Sequence, residues 1–367
     1  MNRAAFMKRL ASAGINDGMN IFRTITRRVI LFVVLGIVVA SVAAGLALAR
    51  GKATPIGTGI VVINTNLAYQ NAQAAGTGMV LTSSGEVLTN NHVISGATTI
   101  KVVIPKTGQS YTAKVVGYSR TADVAVLQLQ GASNLKTVST STSTLSVGAA
   151  VTAYGNAGGT GTITSATGTI TGLGKSITAS DDSGGTEQLT GLIETNAAIQ
   201  PGDSGGPLVN GQGQVVGMDT AGSTSSGYGF QNVTATDAYA VPITKALSVA
   251  TAITSGKASS TVHVGPTAFL GIEVQSVAAP GFGYGGGSTT SPGALIAGVV
   301  SGGPAASAGL VAGDTITAIN GHAVTAPTSI SAIVLTLKPG AKISVAYLDQ
   351  YGTSQTATVT LGSGPAQ

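Results

Sequence analysis

The sequence predicts a mainly β protein in which two folded units follow one membrane-spanning helix. Short β-branched runs, separated by turns containing Gly and Ser, recur between residues 59 and 241. A polar linker then leads into a second unit of about 100 residues, and an uncharged apolar stretch lies near the N-terminus. The chain has 367 residues, of which 43% are hydrophobic, so it can bury more than one core.

The composition excludes several classes of chemistry. The chain has no Cys, which rules out disulfides, thiol catalysis and Cys-based zinc sites. It has three His, too few for a His-rich metal centre. We therefore expect neither a metal ion nor another cofactor.

The net charge of +5 comes from the N-terminus alone. Residues 1–28 hold six basic side chains and one acidic one, whereas the remaining 339 residues hold 12 of each sign. Because the rest of the chain carries no net charge, no basic face for nucleic acid is expected.

Residues 29–49 contain no charged side chain and predict a transmembrane helix. Such a helix is about 31 Å long, close to the roughly 30 Å of a bilayer's hydrocarbon core. The basic residues 1–28 before it predict a cytoplasmic N-terminus, with the bulk of the chain outside the membrane. The alternative is a cleaved signal peptide that ends at Ala47-Leu48-Ala49, although the apolar run of a signal peptide is usually shorter.

The first folded unit, residues 50–253, is predicted to be an antiparallel barrel or sandwich, because its strands are short and do not alternate with helices. A helix at residues 243–253 closes this unit, and residues 254–265 form the predicted linker. The expected strands cover residues 59–63, 78–81, 99–103, 123–127, 149–154, 161–173, 192–195, 214–219 and 238–241.

The second unit, residues 266–362, is predicted to combine short strands with two short helices, at residues 304–308 and 329–335. Its Gly-rich loop, residues 280–287, contains Gly281, Gly283 and Gly286 in a GxGxxG pattern. No βαβ unit encloses this pattern, so we do not expect dinucleotide binding.

The residues around Ser204 carry the strongest chemical signal. The run Gly-Asp-Ser-Gly-Gly at residues 202–206 allows a tight turn that exposes the Ser204 hydroxyl. In such a turn the backbone N–H groups of Gly202 and Ser204 are the natural donors to an oxyanion. A Ser hydroxyl is a weak nucleophile without a nearby base, and an ordinary surface loop is the alternative if no base exists.

A base and a group to orient it both occur upstream. His92 directly follows an apolar strand, whereas His263 lies in the linker and His322 in a turn, where both are expected to be solvated. Asp123 opens a strongly apolar strand, where a carboxylate needs a partner, and His92 would supply one. Asp123 as a simple strand cap is the alternative. The sequence thus predicts a Ser-His-Asp triad of His92, Asp123 and Ser204.

With these motifs the sequence resembles the HtrA/DegP-type trypsin-like serine proteases, over roughly residues 55–362. The order His92, Asp123, Ser204 is that of chymotrypsin-like double barrels. The resemblance implies a double β-barrel followed by a PDZ domain, a single-pass bacterial cell-membrane protein and a homotrimer. The matching stretches are residues 76–80, 89–93, 122–127, 194–199, 206–210 and 239–242. By the same resemblance, the peptide-carboxylate loop of the PDZ domain is formed by Phe269, Leu270, Gly271 and Ile272.

Positions near Ser204 refine this resemblance. The family usually carries Asn where this chain has Asp203, which therefore needs another donor or stays solvated. Ala198 stands where Lys- and Arg-specific relatives carry Asp, so a substrate cation would find no counter-charge, at a cost of several kcal/mol. We therefore expect cleavage after small or medium apolar residues. The predicted substrate pocket consists of Ala198, Ile199, Tyr239, Ala240 and Val241.

The expected function is that of a membrane-tethered serine endopeptidase acting on unfolded or damaged exported proteins, with a PDZ domain that binds C-terminal peptides. One alternative is a PDZ-bearing envelope chaperone or adaptor with little proteolytic activity. A structural cell-surface β protein is another alternative, and it fits the composition but not the motifs.

Overall fold

The computed structural model describes residues 58–180, 186–222, 237–276 and 293–367. The predicted transmembrane segment, residues 29–49, and the Gly-rich loop, residues 280–287, lie outside these ranges. Within them, no helix is both long enough and apolar enough to cross a membrane.

The first six strands form a closed antiparallel barrel. Its strand order is β5-β4-β1-β2-β3-β6, and pairing of β5 with β6 closes it. Apolar and polar residues alternate along the strands, so that Ile100 and Val102 point inward while Thr99 and Lys101 face solvent. The strands are β1 (Ile60–Leu67), β2 (Ala72–Val80), β3 (Glu86–Thr89), β4 (Thr99–Val103), β5 (Ser110–Ser119) and β6 (Val124–Leu129).

The next six strands form a second closed barrel, in the order β10-β11-β12-β9-β8-β7. Val151, Ile170, Ile193 and Leu208 fill its interior. The chain is thus mainly β, and of the two predicted architectures it adopts the barrel. The strands are β7 (Ala150–Gly155), β8 (Thr164–Ser180), β9 (Thr186–Thr195), β10 (Pro207–Val209), β11 (Val215–Gly222) and β12 (Ala238–Pro242).

A shared apolar core joins the two barrels. Met79 and Leu88 of the first barrel pack in one cluster with Met218 and Val241 of the second. Helix α2 (Ile243–Thr254) covers this cluster with its buried face, while a single turn of helix, α1 (Asn91–Ile94), follows β3 at the edge of the first barrel. Truncating a buried side chain such as Leu88 to Ala would cost about 2–5 kcal/mol of stability. This core fixes the junction at which the functional residues meet.

The C-terminal unit is a small sheet with two short helices. Strands follow the order β15-β16-β17-β19-β20, β18 pairs with β17, and β14 pairs separately with β21. The elements are β14 (Thr267–Phe269), β15 (Ile272–Ser276), β16 (Ala294–Val299), α3 (Pro304–Ser307), β17 (Thr315–Ile319), β18 (His322–Ala323), α4 (Pro327–Val334), β19 (Lys342–Leu348), β20 (Ser354–Thr360) and β21 (Gly362–Gly364).

Two local expectations need correction. Asp123 does not begin a strand, because its φ of 51° is left-handed and β6 starts one residue later. His263 is not a solvated turn residue but belongs to β13 (His263–Val264), which pairs with β5. Its ring stacks on that of Tyr118, 4.9 Å away, because the extended chain after the linker adds to the barrel's sheet.

Candidate active site

His92 and Asp123 form an ion pair at the edge of the first barrel. The Nδ1 atom of His92 lies 2.9 Å from Oδ2 of Asp123, and the backbone N–H of His92 donates to Oδ1 at 3.0 Å. The Asn90 side chain donates to the Asp123 carbonyl at 2.9 Å, which ties the loop before β6 to the start of α1. The Asp123 side chain is 6% exposed and the His92 side chain 49% exposed, so only the imidazole faces outward.

The environment of Asp123 keeps it ionised. Burial alone raises the pKa of its carboxyl group, but the charge of His92 and the hydrogen bonds from His92 and Thr220 outweigh burial. The net effect lowers the pKa of Asp123 below its ordinary value. A carboxylate that accepts the hydrogen bond from Nδ1 fixes the tautomer in which Nε2 carries no proton when the imidazole is neutral.

Ser204 lies directly after a tight turn at residues 200–203. The turn is closed by a hydrogen bond from the Asp203 N–H to the Gln200 carbonyl at 2.9 Å, with Pro201 and Gly202 at its centre. Gly202 has a φ of +96°, the conformation that a type II turn requires at this position. A Cβ atom there would lie 2.2 Å from the Asn156 carbonyl oxygen, so only Gly fits.

Thr77 of the first barrel holds this turn in place. Its N–H donates to the Ser204 carbonyl at 2.8 Å, and its hydroxyl donates to the Gly202 carbonyl at 2.7 Å. The same hydroxyl accepts the Asn156 N–H at 2.9 Å.

The carbonyls in the same peptide units as the N–H groups of Gly202 and Ser204, those of Pro201 and Asp203, accept the Gly158 N–H at 2.8 Å and the Gly206 N–H at 2.9 Å. The N–H groups of Gly202 and Ser204 themselves donate to no other described residue. They are therefore available to a ligand.

Thr220, at the end of β11, connects Ser204 to the ion pair. The Ser204 hydroxyl donates to the Thr220 carbonyl at 3.4 Å, and the Thr220 hydroxyl donates to Oδ2 of Asp123. The structure therefore brings His92, Asp123 and Ser204 to one junction between the barrels. Neither Thr77 nor Thr220 was predicted from the sequence, and the one available signal for Thr220 was a polar pair, Asp219-Thr220, at the end of an apolar strand.

Asp203 is buried rather than solvated, with 1% of its surface exposed. Its Oδ2 atom accepts the Gln200 N–H at 2.9 Å. The Gln200 N–H is thus one donor to Asp203, which the sequence alone did not identify. It also stiffens the turn that precedes Ser204.

The residues predicted to form the substrate pocket do not all share one surface. Ala198 is exposed, while Ile199 and Ala240 pack into the core of the second barrel. Tyr239 and Val241 point to the other side of β12, into the core between the barrels. The structure therefore brings Ile199 and Ala240 together in the second barrel and separates Tyr239 and Val241 from them, while Ala198 is exposed.

The Tyr239 hydroxyl contacts an ion pair formed by Glu194 and Lys175, neither of which is among the predicted pocket residues. It donates to Glu194 at 3.3 Å, and Glu194 pairs with Lys175 at 3.2 Å. Burial, followed by the negative charges of Glu194 and Asp237, raises the pKa of Tyr239 to about 12. The phenol thus remains neutral throughout the physiological pH range.

The predicted carboxylate loop of the C-terminal unit lies between β14 and β15. Gly271 has a φ of +78°, and its carbonyl accepts the Val300 N–H at 2.9 Å. The Leu270 carbonyl accepts the Ala305 N–H at 3.0 Å. Both carbonyls are therefore held inward, and β15, which Ile272 begins, is an edge strand of its sheet.

Comparison with known proteins identifies both units. Residues 76–218 match the trypsin-like peptidase domain family, and residues 268–361 match the PDZ domain family. Serine protease PepD of Mycobacterium tuberculosis is 33% identical over 83% of this chain and 63% of its own length. A probable periplasmic serine endoprotease, DegP-like, of Pseudomonas fulva is 34% identical over 81% of this chain and 57% of its own.

Two further proteins are similar to this chain. A probable periplasmic serine protease, do/HhoA-like, of Haemophilus influenzae is 36% identical over 76% of this chain and 56% of its own length. The chain thus spans less than two thirds of the length of the three curated relatives. The solved HtrA-type protease AlgW with decapeptide aligns at 27% identity over 85% of this chain and 97% of its own, with a TM-score of 0.46.

Proposed function

We propose that this HtrA/DegP-like chain, with its trypsin-like peptidase domain and PDZ domain, is a serine endopeptidase. The observation that carries the proposal is the junction between the barrels. There, the half-exposed His92 is paired with the buried Asp123 beside the turn that presents Ser204. The curated relatives named as serine proteases support the same activity.

In the proposed mechanism, Ser204 is the nucleophile and His92 the base. The Ser204 oxygen bonds to the carbonyl carbon of the scissile peptide while its proton passes to Nε2 of His92. Asp123 keeps the imidazole in the correct tautomer and stabilises its protonated form. His92 then protonates the leaving amine, and water, activated by His92 in the same way, releases the acyl group and restores Ser204.

The oxyanion that forms during each step needs donors that are already in position. We assign this role to the N–H groups of Gly202 and Ser204, whose peptide units are held through the Pro201 and Asp203 carbonyls by the N–H groups of Gly158 and Gly206. Donors fixed by the fold stabilise developing charge without having to reorganise, and losing one typically costs about 10²–10³ in rate.

For the substrate pocket we propose an apolar surface near Ala198, Ile199 and Ala240, which favours small or medium apolar side chains. Ala198 is the exposed member of this group, and Ile199 and Ala240 are buried in the core of the second barrel, where they would form the apolar base of the pocket. Tyr239 and Val241 would contribute to this pocket by supporting β12 rather than by contacting the substrate.

The PDZ domain is proposed to bind the free C-terminus of a peptide. The loop of Phe269, Leu270, Gly271 and Ile272 would bind the carboxylate through backbone N–H groups. The peptide would then add as a strand to the edge strand β15, with its main chain supplying affinity and its last side chain read by an apolar pocket.

We further propose that the enzyme acts outside the cytoplasm on unfolded or damaged proteins. Two of the relatives are named periplasmic, which supports an extracytoplasmic site. Residues 29–49 would tether it to the bacterial cell membrane, with residues 1–28 inside. The homotrimer implied by the family resemblance remains part of this proposal.

The test is hydrolysis of an unfolded protein such as casein by the wild type and by two variants, Ser204→Ala and His92→Ala. Each variant should lose several orders of magnitude in kcat, because removing one member of a triad leaves only binding and the oxyanion donors. Circular dichroism should show an unchanged fold. Wild-type turnover by Ser204→Ala would contradict the proposed function.

A further inference from the structure

The helix that carries His92 is a single turn, α1, which cannot be stable by itself. Forming one helical turn fixes several residues for one hydrogen bond, so isolated turns do not persist in water. Contacts with the rest of the chain therefore decide where the imidazole lies. One set of contacts comes from Asp123, whose carboxylate lies 2.9 Å from the ring nitrogen Nδ1 and accepts the backbone N–H of His92 at 3.0 Å.

A second set of contacts comes from Ala366 and Gln367, which follow β21 and are referred to below as the 366–367 segment. The side-chain amide of Asn91 donates to the backbone oxygen of Gln367 at 3.1 Å. The Gly96 N–H donates to the Ala366 carbonyl at 2.8 Å. Asn91 is the first residue of α1 and Gly96 follows its last residue closely, so one short segment bridges both ends of the turn.

Apolar packing and a third hydrogen bond fix the 366–367 segment in the first barrel. Ala366 is 3% exposed and belongs to the same buried cluster as Val93 of α1 and Tyr118 of β5. The backbone of Gln367 also forms a hydrogen bond with the hydroxyl of Tyr118. The segment therefore packs as part of the core of this barrel and does not lie loosely on its surface.

Asn91 is unusually buried for a side-chain amide. It is 5% exposed, and its Oδ1 atom has no hydrogen-bond partner among the described residues. A buried acceptor without a partner costs stability, so an apolar side chain of similar size would pack here at little cost. Such a side chain could not donate to Gln367. The contact with Gln367, rather than packing, therefore accounts for the amide at this position.

We infer that Asn91 is a positioning residue, which acts through the backbone oxygen of Gln367 to hold α1, and with it the imidazole of His92, in line with Ser204. Without the 366–367 segment, α1 would move relative to Asp123. The ion pair would then open part of the time, and Nε2 would leave the position from which it takes the Ser204 proton. The inference rests on the proposed function, since it concerns the orientation of the same base.

The first test is Asn91→Leu, which keeps the volume of the side chain and removes its donor. The variant also removes the unpartnered Oδ1 atom, and water can reach the half-buried Gln367, so its Tm should stay close to that of the parent chain carrying Ser204→Ala. In the active enzyme, kcat for peptide hydrolysis should fall by about ten- to a hundredfold, the effect of a small displacement of a catalytic group, with KM unchanged. A merely structural role would not lower kcat at unchanged Tm.

Gln128→Leu is the matched control. The Gln128 side-chain amide likewise donates to a backbone carbonyl of the first barrel, that of Ser84 at 2.8 Å. Gln128 lies five residues after Asp123, roughly 16 Å further along an extended strand, so its loss should leave kcat unchanged. A kcat of Asn91→Leu equal to that of this control would overturn the inference.

Deletion of residues 365–367 tests whether Asn91 acts through this segment. The deletion should lower kcat at least as much as Asn91→Leu, because it removes every contact of the segment with α1. Adding Asn91→Leu to the deletion should then lower kcat no further, whereas multiplicative losses would overturn the inference. If the deletion does not fold, Tyr118→Phe, which removes the hydroxyl bonded to Gln367, replaces it, and the combined loss should again be less than multiplicative.

A measurement that needs no proteolysis separates this inference from the proposed function. The chain has three His, so ¹⁵N NMR of the imidazole rings in the full chain carrying Ser204→Ala resolves His92, and adding His92→Ala identifies its signal. The ring should show one sharp Nδ1–H resonance that exchanges slowly with water, and Asn91→Leu should broaden it or speed its exchange. An identical resonance in both proteins would overturn the inference. If the resonance changes but the wild type hydrolyses no peptide, the proposed function alone is wrong.

Discussion

Thr220 is the residue that links the three proposed catalytic side chains into one network. Its hydroxyl bonds to the Asp123 carboxylate and its carbonyl accepts the Ser204 hydroxyl. The bond to Asp123 is one of the interactions that lower the pKa of that carboxyl group. Without it, Asp123 would be a weaker partner for the imidazolium of His92.

We therefore expect Thr220→Val to lower kcat/KM by about ten- to a hundredfold, which corresponds to losing a hydrogen bond of about 1.5–3 kcal/mol to a charged group. The acid limb of the rate should also change, because the hydroxyl influences the ion pair. Steady-state peptide hydrolysis across pH measures both effects. Thr99→Val, an exposed change on β4, is the control, and equal activity of the two variants would contradict this role.

His92, Asp123 and Ser204 could be predicted as a catalytic triad because the residues around each of them form a recognisable local motif. Thr77 and Thr220 could not be found in the same way. Their roles depend on the docking of two barrels, which brings Thr77 to Ser204 across 127 positions of sequence. Thr is also frequent in this chain, so that no single Thr stands out.

At the scale of elements, the sequence patterns predicted the positions of strands better than the pairing between strands. The run at residues 99–103 coincides with β4, and the predicted helix at residues 243–253 matches α2 within one residue. The pairing of β13 with β5 was missed, because two residues after a polar linker carry too little pattern to reveal a strand. The left-handed backbone of Asp123 could not be predicted either. A residue that directly precedes an apolar run is easily assigned to the strand that the run forms.

At the same scale, we predict that the loop between β14 and β15 binds the carboxylate of a peptide C-terminus. The full chain with Ser204→Ala should bind peptides that end in an apolar residue with micromolar affinity, about −8 kcal/mol. Amidation of the peptide C-terminus should abolish binding, because the loop N–H groups would lose the carboxylate. Isothermal titration calorimetry measures both forms, and equal affinities would contradict the assignment.

A Gly variant sharpens the same prediction. Gly271→Ala should weaken binding, since a Cβ atom there would lie 3.3 Å from Phe269 and Pro304 and the φ of +78° disfavours Ala. Gly321→Ala is the matched control, with the same φ of +78° and no atom within 4 Å of the added Cβ. Both variants bear similar backbone strain, so a difference in affinity reports on the loop itself.

At the scale of the whole molecule, the PDZ domain contacts the first barrel near the helix that carries His92. Ala366 is buried in that barrel's core, and its carbonyl accepts the Gly96 N–H at 2.8 Å. The ring of Phe269, from the carboxylate loop, stacks on Tyr69 at 5.3 Å. For this reason the full chain, rather than an isolated C-terminal fragment, is the appropriate protein for the binding experiment.

The central claim is that Ser204 is a nucleophile activated by the paired His92 and Asp123, and covalent labelling tests it most directly. A fluorophosphonate probe should react with the wild-type chain, add one adduct by intact mass, and mark the peptide that contains Ser204. Ser204→Ala should remain unlabelled, and His92→Ala should react orders of magnitude more slowly, because the hydroxyl lacks its base. Undiminished labelling of Ser204→Ala, or an adduct on another residue of the wild type, would contradict the account.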